Sequence, residues 1–254
     1  TTGIIADGLV FNMDAANRAS YPKTGTTATD TINSLSGTFS SSPTFDPTTG
    51  SGVIDFDDTD NINFGDNDVL DWGSGDGTIG AWCKCASGNG VQDFVMKGAY
   101  STNGKNYTLL LSTSEKLMFA IDDNTTAKSV ESATAGNDNT YRYLVGVRDG
   151  NNLRFYINGI EDGNSPTDIT GYGSLDSTDP LLIGAGTSGA GGSPGNYLNG
   201  SVASVHIYNR ALSAKEVMRN FNALKDRMGY VAPQEFAVSF LIVGGGGASA
   251  GGGG

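Results

Sequence analysis

Side chains that suit a hard cation crowd one short stretch of the chain: Asp55, Asp57, Asp58, Asp60 and Asp66. Carboxylate and carbonyl oxygens are the ligands calcium prefers. Asp57, Asp58 and Asp60, with Asp93 as a further ligand of the same kind, are therefore the candidate metal residues. Their spacing is not that of an EF-hand loop. The competing reading is turn chemistry, in which Asp side chains in Asp57-Asp58-Thr59-Asp60 accept from nearby backbone N–H groups. A second chemistry is saccharide recognition, which asks for an exposed aromatic face with Asn or Asp hydrogen bonders on loops. Tyr100 near Asn103, Tyr172, and Tyr197 beside Asn196 meet that description, and each taken singly is also explained as a packing tyrosine.

Other chemistries find little support. The single histidine, His206, sits on an expected strand and is read as structural, which removes most Ser-His-Asp and Cys-His arrangements. Cys83 and Cys85 lie two apart. On an extended strand they would share a face with Cα atoms near the upper limit for a disulfide, about 6.8 Å, so two free thiols are the simpler reading. Tetrahedral zinc would need more ligands than the chain offers together. Gly184-Ala185-Gly186 and Gly189 to Gly195 lack the Lys-Ser/Thr and the helix start of a phosphate loop and are read as surface turns.

With 15 basic against 27 acidic residues and a formal net charge of -12, the chain is a poor partner for a phosphate backbone, so nucleic acid is not expected. The longest apolar run falls well short of the roughly 20 residues that span a bilayer, so membrane insertion is not expected either. Thr1 opens no secretion signal, and the start without Met and the end in glycines suggest processing or a larger parent chain.

The elements that must position these residues read as strands. Gly, Ser, Thr, Asn and Asp dominate, which fits many short strands joined by turns. Strands are expected at Gly8 to Met13, Val53 to Phe56, Asn61 to Phe64, Thr78 to Cys85, Asp93 to Lys97, Tyr107 to Leu111, Leu117 to Ile121, Leu181 to Ile183 and Ser201 to Tyr208. The clearest is Tyr141 to Arg148, with Tyr141, Tyr143, Val145 and Val147 on one face; it should pair with Leu153 to Ile157 across Asp149-Gly150, before a tight Asn158-Gly159 turn. One helix is expected, with Ser213 as cap, Glu216 in the capping-box position, a stripe of Val217, Phe221, Leu224 and Met228, and Gly229 at its end. Facing inward, that stripe would cover an edge or end of the core.

The order of these pieces resembles the concanavalin A-like, laminin G-like jelly-roll family. The most specific residues are Leu198 to Ser213, running through Tyr208-Asn209-Arg210-Ala211-Leu212-Ser213, then Glu216-Val217 and Asn220-Phe221. Ser34 to Thr38, Ile54-Asp55-Phe56-Asp57, Ile79-Gly80-Ala81-Trp82 and Phe155 to Gly159 support them. The resemblance implies an all-β, two-sheet antiparallel sandwich over residues 1–230, closed by one short C-terminal helix; residues 231–254, a strand-like run passing into glycines that bury no side chain, are read as an extended strand and glycine-rich tether or assembly segment. Some relatives on this fold are endoglycanases with Glu-x-Asp-x-x-Glu on one strand; Glu131-Ser132-Ala133-Thr134 and Glu161-Asp162-Gly163 do not supply it, so an enzyme is not expected. The loop that carries metal ligands in pentraxin relatives matches Ala185-Gly186-Thr187-Ser188, which has no carboxylate.

The opening, Gly8 to Asn17 with Ser20-Tyr21-Pro22, is similar to copies of this domain in tailed-phage virion proteins, and Phe240 to Gly247 resembles the start of phage-fibre glycine-rich regions. The expected role is a non-enzymatic virion surface module, tail fibre or capsid decoration, assembled in the host cytoplasm and contacting host-surface glycans. The alternatives are a decoration protein that binds no sugar and a carbohydrate-binding appendage of a secreted bacterial protein. Partners would be other virion proteins and further copies of the chain, a trimer by analogy with fibres. Phe236, Val238, Phe240 and Ile242 would form the assembly strand. No cofactor is expected other than calcium.

Overall fold

Alternation of apolar and polar residues over short runs, punctuated by turn formers, makes strand the dominant regular structure of the chain. The computed structural model describes residues 3–86, 90–100, 104–162, 164–187, 193–232 and 253. Asn103 and the expected assembly residues Phe236, Val238, Phe240 and Ile242 lie outside the described residues. In chain order the strands begin β1 (Leu9–Asp14), β2 (Thr27–Thr29), β3 (Ser36–Ser40), β4 (Thr44–Asp46), β5 (Val53–Asp57), β6 (Asn61–Asn63) and β7 (Gly77–Cys85). There follow β8 (Gln92–Gly98), β9 (Asn106–Leu111), β10 (Lys116–Asp122), β11 (Ala127–Ala135), β12 (Arg142–Asp149), β13 (Asn152–Ile157), β14 (Ile160–Glu161) and β15 (Thr167–Asp168). The set closes with β16 (Leu181–Ile183), β17 (Gly186–Thr187), β18 (Pro194–Gly195) and β19 (Asn199–Tyr208), before helix α1 (Ala214–Leu224).

Two antiparallel sheets form a sandwich. One runs β14-β13-β12-β7-β19-β5-β4, with β1 also on β19 and β15 on β13; the other runs β11-β10-β9-β8-β16-β6-β3-β2. Strand alternation sends Tyr107, Leu109 and Leu111 of β9, Leu117, Phe119 and Ile121 of β10, and Ile79, Ala81, Cys83 and Cys85 of β7 into the core between the sheets. Trp72 stacks on Tyr107 with ring centroids 3.8 Å apart, and Phe11 meets Phe64 edge-on at 4.9 Å. Both cysteines are free and buried, and burial pushes the Cys85 thiol up to about 12. His206 is also buried and structural, with desolvation holding it down at about 4.

The helix starts where expected, after Ser213, but ends at Leu224 rather than at Gly229, and residues 225–229, Met228 among them, form a turn. The Glu216 carboxylate accepts from the Ser213 N–H at 2.9 Å and from the Arg210 guanidinium at 2.6 Å, which holds its carboxyl down at about 2. Its position corrects the expectation of an edge or end cover: Val217 and Phe221 lie over the outer face of the first sheet, against Trp82, Tyr143, Val145, Val147 and Tyr208. Trp82 stacks with Phe221 at 5.6 Å. The conspicuous Tyr143, Val145 and Val147 face thus packs under the helix, while Leu144 and Gly146 face the inter-sheet core. At Gly146 the Phe119 ring occupies the space of a side chain, 2.2 Å from where a Cβ would stand.

Both hairpins form: the second turn is Asn158-Gly159 as read, at φ 53° and 83°, while the first lies one residue later than read, at Gly150-Asn151 between the paired Asp149 and Asn152, with Gly150 at φ 57°. The Asp57–Asp60 segment, flanked by two short strands, is a crossover that carries the chain from one sheet, in β5, to the other, in β6. The helix covers the outer face of the first sheet, and two recesses lie on the outer face of the second.

Candidate functional site

The chain after β16 folds back across the outer face of the second sheet as a two-stranded ribbon, β17 paired with β18. Thr187 O accepts from Tyr100 N–H at 3.1 Å, Asn196 O accepts from Asp93 N–H at 2.9 Å, and the Thr187 hydroxyl donates to Gly98 O at 2.7 Å. The approach is so close that only glycine fits at 186: a Cβ there would stand 2.3 Å from Asp93 Oδ2. The ribbon divides the face. One cleft lies toward β9, β10 and β11, and a groove lies toward β3 and β6.

The cleft, about 520 Å³, is lined by Val91, Tyr100, Leu110, Ser112, Thr113, Met118, Glu131 and Asn196. Leu110 on β9 and Met118 on β10 are register partners, and Met118 is in turn opposite Glu131 on β11, so ladder geometry alone sets these three side by side. An apolar floor with a few polar groups at its rim is the usual make-up of a small-molecule site, and the volume falls within the roughly 300–1,000 Å³ such sites occupy.

Beneath it, Asp93 is wholly buried and ties the site together. Its Oδ1 accepts from the Tyr100 hydroxyl at 2.8 Å and the Thr108 hydroxyl at 2.6 Å, and its Oδ2 from the Asn196 amide at 3.2 Å. Desolvation raises its carboxyl to about 6 against the lowering effect of those three donors. Tyr100 is thereby fixed by its hydroxyl, so its ring would lose little further freedom on meeting a ligand.

The candidate sugar residues therefore divide. Tyr100 and Asn196 come together at the cleft. Tyr197 follows Asn196 but does not line it. Tyr172 is a packing residue elsewhere: its hydroxyl donates to Ile121 O at 2.8 Å and accepts from Asp123 N–H at 3.2 Å, with Thr126 O also adjacent, and its ring sits beside Arg148. Leu110, Met118 and Glu131 were not singled out for binding in the sequence, because only strand register brings them together.

The aspartates that crowd in sequence do not gather into one cluster in space, although Asp57 and Asp60 touch. Asp55 accepts from the Ser201 hydroxyl, Asp57 from the Thr59 hydroxyl at 2.8 Å, Asp58 from the Asn199 amide at 3.1 Å, and Asp60 from Ser42 N–H at 3.1 Å. Asp57 and Asp60 also share a hydrogen bond; burial raises Asp60, while the Thr59 contact leads in lowering Asp57. Asp66 belongs to a different recess of about 580 Å³, lined also by Asp68, Asp71 and Asp176. There the buried Lys97 ammonium lies 2.9 Å from Asp66 Oδ1, 3.1 Å from Asp71 Oδ1, and 2.6 and 3.0 Å from the Ser177 and Asp179 carbonyls. Asp93 is on the other sheet from Asp57 and is enclosed by its own donors. Among the described residues no three His, Cys, Asp or Glu side chains converge as a metal site.

A family model described as the Concanavalin A-like lectin/glucanases superfamily matches residues 56–218. No curated protein sequence matches the chain. Solved structures that are similar include the binding domain of Paraclostridial mosquitocidal protein 1, with a TM-score of 0.65 and 16% identity over 85% of this chain and 52% of that one. Domain 4 of AbnA, a GH43 extracellular arabinanase from Geobacillus stearothermophilus solved with arabinotriose, gives 0.65 and 13% over 84% of this chain and 97% of that one. The receptor-binding domain of botulinum neurotoxin C/D mosaic serotype gives 0.64 and 11% over 86% and 52%. The chain thus spans about half of each toxin domain, and at these identities the likeness is one of fold.

Proposed function

The chain belongs to the concanavalin A-like lectin/glucanases superfamily, and on that footing we propose that it is a non-enzymatic glycan-binding module. The observation that carries the reading is the cleft beside the ribbon, where a fixed tyrosine ring, an apolar floor and rim amide, hydroxyl and carboxylate groups converge. A sugar offers matching chemistry, with C–H faces for the ring and floor and hydroxyls for the rim. Glycoside hydrolysis uses two carboxyl groups flanking the bond. Glu131 is the one carboxylate among the described lining residues, and Asp93 beneath is engaged by three donors. The arabinanase domain solved with arabinotriose and the toxin domains named for binding support the same reading.

The finer reading is that the module is displayed on a virion, as a tail fibre or capsid-attached decoration, and binds a host-surface glycan. It is supported by the resemblance of Gly8 to Asn17 and of Phe240 to Gly247 to phage virion sequences. Many copies facing one surface would turn weak sites into firm attachment. Native mass spectrometry of the full chain tests the proposed trimer, and monomers alone would overturn it.

The cleft is tested on a glycan array, run with and without calcium because the Asp57 to Asp60 turn is the place proposed for that ion. At least one glycan should bind, and Met118→Arg should weaken it by about tenfold or more with an unchanged melting temperature. No glycan bound in either condition, or undiminished binding by that variant, refutes the proposal.

A further inference from the structure

On the other side of the ribbon lies a groove of about 510 Å³, bounded by Pro194 of the ribbon and by β3 and β6. On β6 the core-facing residue is Ile62, so Asn61 and Asn63 share the opposite, groove side. Thr38 and Ser40 of β3 stand directly across from Asn63 and Asn61.

Asn61 is 1% exposed, and neither its amide oxygen nor its amide nitrogen has a hydrogen-bond partner. The Ser40 hydroxyl that could have served it is spent on the Asn61 backbone, accepting from its N–H at 3.0 Å and donating to its O at 3.3 Å. An amide offers two donors and an acceptor with two lone pairs, and native proteins rarely leave such a group buried and unpaired. Folding does not use it.

We propose that this groove is a second saccharide site, which takes a neutral sugar whose hydroxyls pair with the Asn61 amide and the Thr38 hydroxyl. Neutrality follows from the described lining residues, which offer hydroxyl, amide, backbone, proline and phenyl groups and among which none is charged. The formal net charge of -12 further disfavours sialylated or sulfated chains. The site shares a ligand class with the cleft across the ribbon but rests on its own observation, so the two stand or fall separately.

The test is side-chain amide NMR of the ¹⁵N-labelled protein, titrated with neutral cello-, xylo-, manno-, arabino-, malto- and laminari-oligosaccharides at millimolar concentration, with sialyllactose as the anionic probe. At least one neutral sugar should shift the Asn61 and Asn63 amide resonances. Those shifts should persist in Met118→Arg, which obstructs only the cleft, and weaken about tenfold in Thr38→Arg, whose side chain starts exposed. Sialyllactose should leave them unmoved. Asn61→Leu should fold with an equal or higher melting temperature, since no bond is lost.

Silence at Asn61 and Asn63 while cleft resonances respond overturns the second site and leaves the cleft reading intact. Loss of the shifts in Met118→Arg shows a single site and also overturns it. A shift with sialyllactose overturns the neutral ligand class, and a marked fall in melting temperature for Asn61→Leu overturns the view of Asn61 as a group folding does not use. Silence in both places overturns both readings.

Discussion

Replacing Asp93 with asparagine removes one titrating group while keeping the shape that joins the ribbon to the sheet. The carboxyl rises from an ordinary 3.8 to about 6 in the folded protein, chiefly by desolvation. The folded state therefore binds the proton more tightly than the unfolded chain, so the acid's contribution is most favourable below pH 3.8 and is lost as pH climbs through 6. At about 1.4 kcal/mol per unit the loss is about 3 kcal/mol, half developed near pH 5 and nearly complete by pH 7. A side-chain amide cannot ionise and escapes it. Its carbonyl oxygen, in the place of Oδ1, retains the Tyr100 and Thr108 donors, and only the contact with the Asn196 amide, 3.2 Å away in the parent, must reorient. The advantage of Asp93→Asn over the parent should thus grow by about 2 kcal/mol from pH 4 to pH 8, roughly 4 to 8 °C in Tm for a domain of this size. Calorimetry of both proteins across that range reads it directly. A difference that does not change with pH would show that Asp93 ionises in place without cost, and the account of the buried anchor would fail.

Three further outcomes follow from the same structure. His206 is held at about 4 by burial, with the Asp14 carboxylate opposing and the Arg227 guanidinium reinforcing; its stabilising effect is full above pH 6.5 and lost as pH falls through 4. In the Asp93→Asn background, where that opposing titration is removed and only the smaller upward shifts of Asp60 and Asp71 still offset it, stability should drop by up to about 3 kcal/mol between pH 7 and pH 4 by urea unfolding, and a flat profile would contradict the assignment. Lys97→Met leaves Asp66, Asp71 and two carbonyls without their buried cation and should cost about 3–5 kcal/mol, read as a lowered urea midpoint; an unchanged midpoint would show the ammonium to be dispensable. Gly146→Ala must displace the Phe119 ring and should cost about 1–3 kcal/mol, whereas a stabilised variant would show that the core there has slack.

Much of the scaffold was legible because its signals are local. The period-two runs of β7, β9, β10 and β13, the Asn158-Gly159 turn and the Ser213/Glu216 cap each declare themselves within ten residues. β11 did not: Ala127-Lys128-Ser129-Val130-Glu131-Ser132-Ala133-Thr134-Ala135 is an edge strand with only Val130 and Ser132 buried, so its apolar alternation is faint. The Tyr143, Val145 and Val147 face was visible, but not what it packs on, since both faces of a central strand are buried when a helix covers the sheet. The cleft was half legible. Tyr100 and Asn196 have the residue types a sugar site uses, whereas Leu110, Met118 and Glu131 look like ordinary strand residues until register lines them up. Tyr172 has the same type as Tyr100 and the opposite employment, and only the partners of its hydroxyl tell them apart. Likewise the aspartates were read as one cluster because sequence proximity ignores the crossover between sheets and the reach of Lys97.

The asymmetry between the two sheet faces explains where recognition falls. The first sheet directs Trp82, Tyr143, Val145, Val147 and Tyr208 outward, and that much apolar surface requires the cover that α1 gives it. The second directs Thr108, Leu110, Met118, Thr38, Asn61 and Asn63 outward, a surface too polar to need a helix and too well furnished with hydroxyls and amides to be inert. What crosses it is a ribbon held by backbone bonds and by one buried carboxylate. An apolar residue at 93 would avoid the cost of a buried charge but would bind none of the three donors that converge there. Tyr100, Thr108 and Asn196 come from separate segments, so the carboxylate fixes the wall between cleft and groove at a free-energy cost that packing alone would not require. On that reasoning the ribbon's position, rather than the sandwich's stability, is what Asp93 secures.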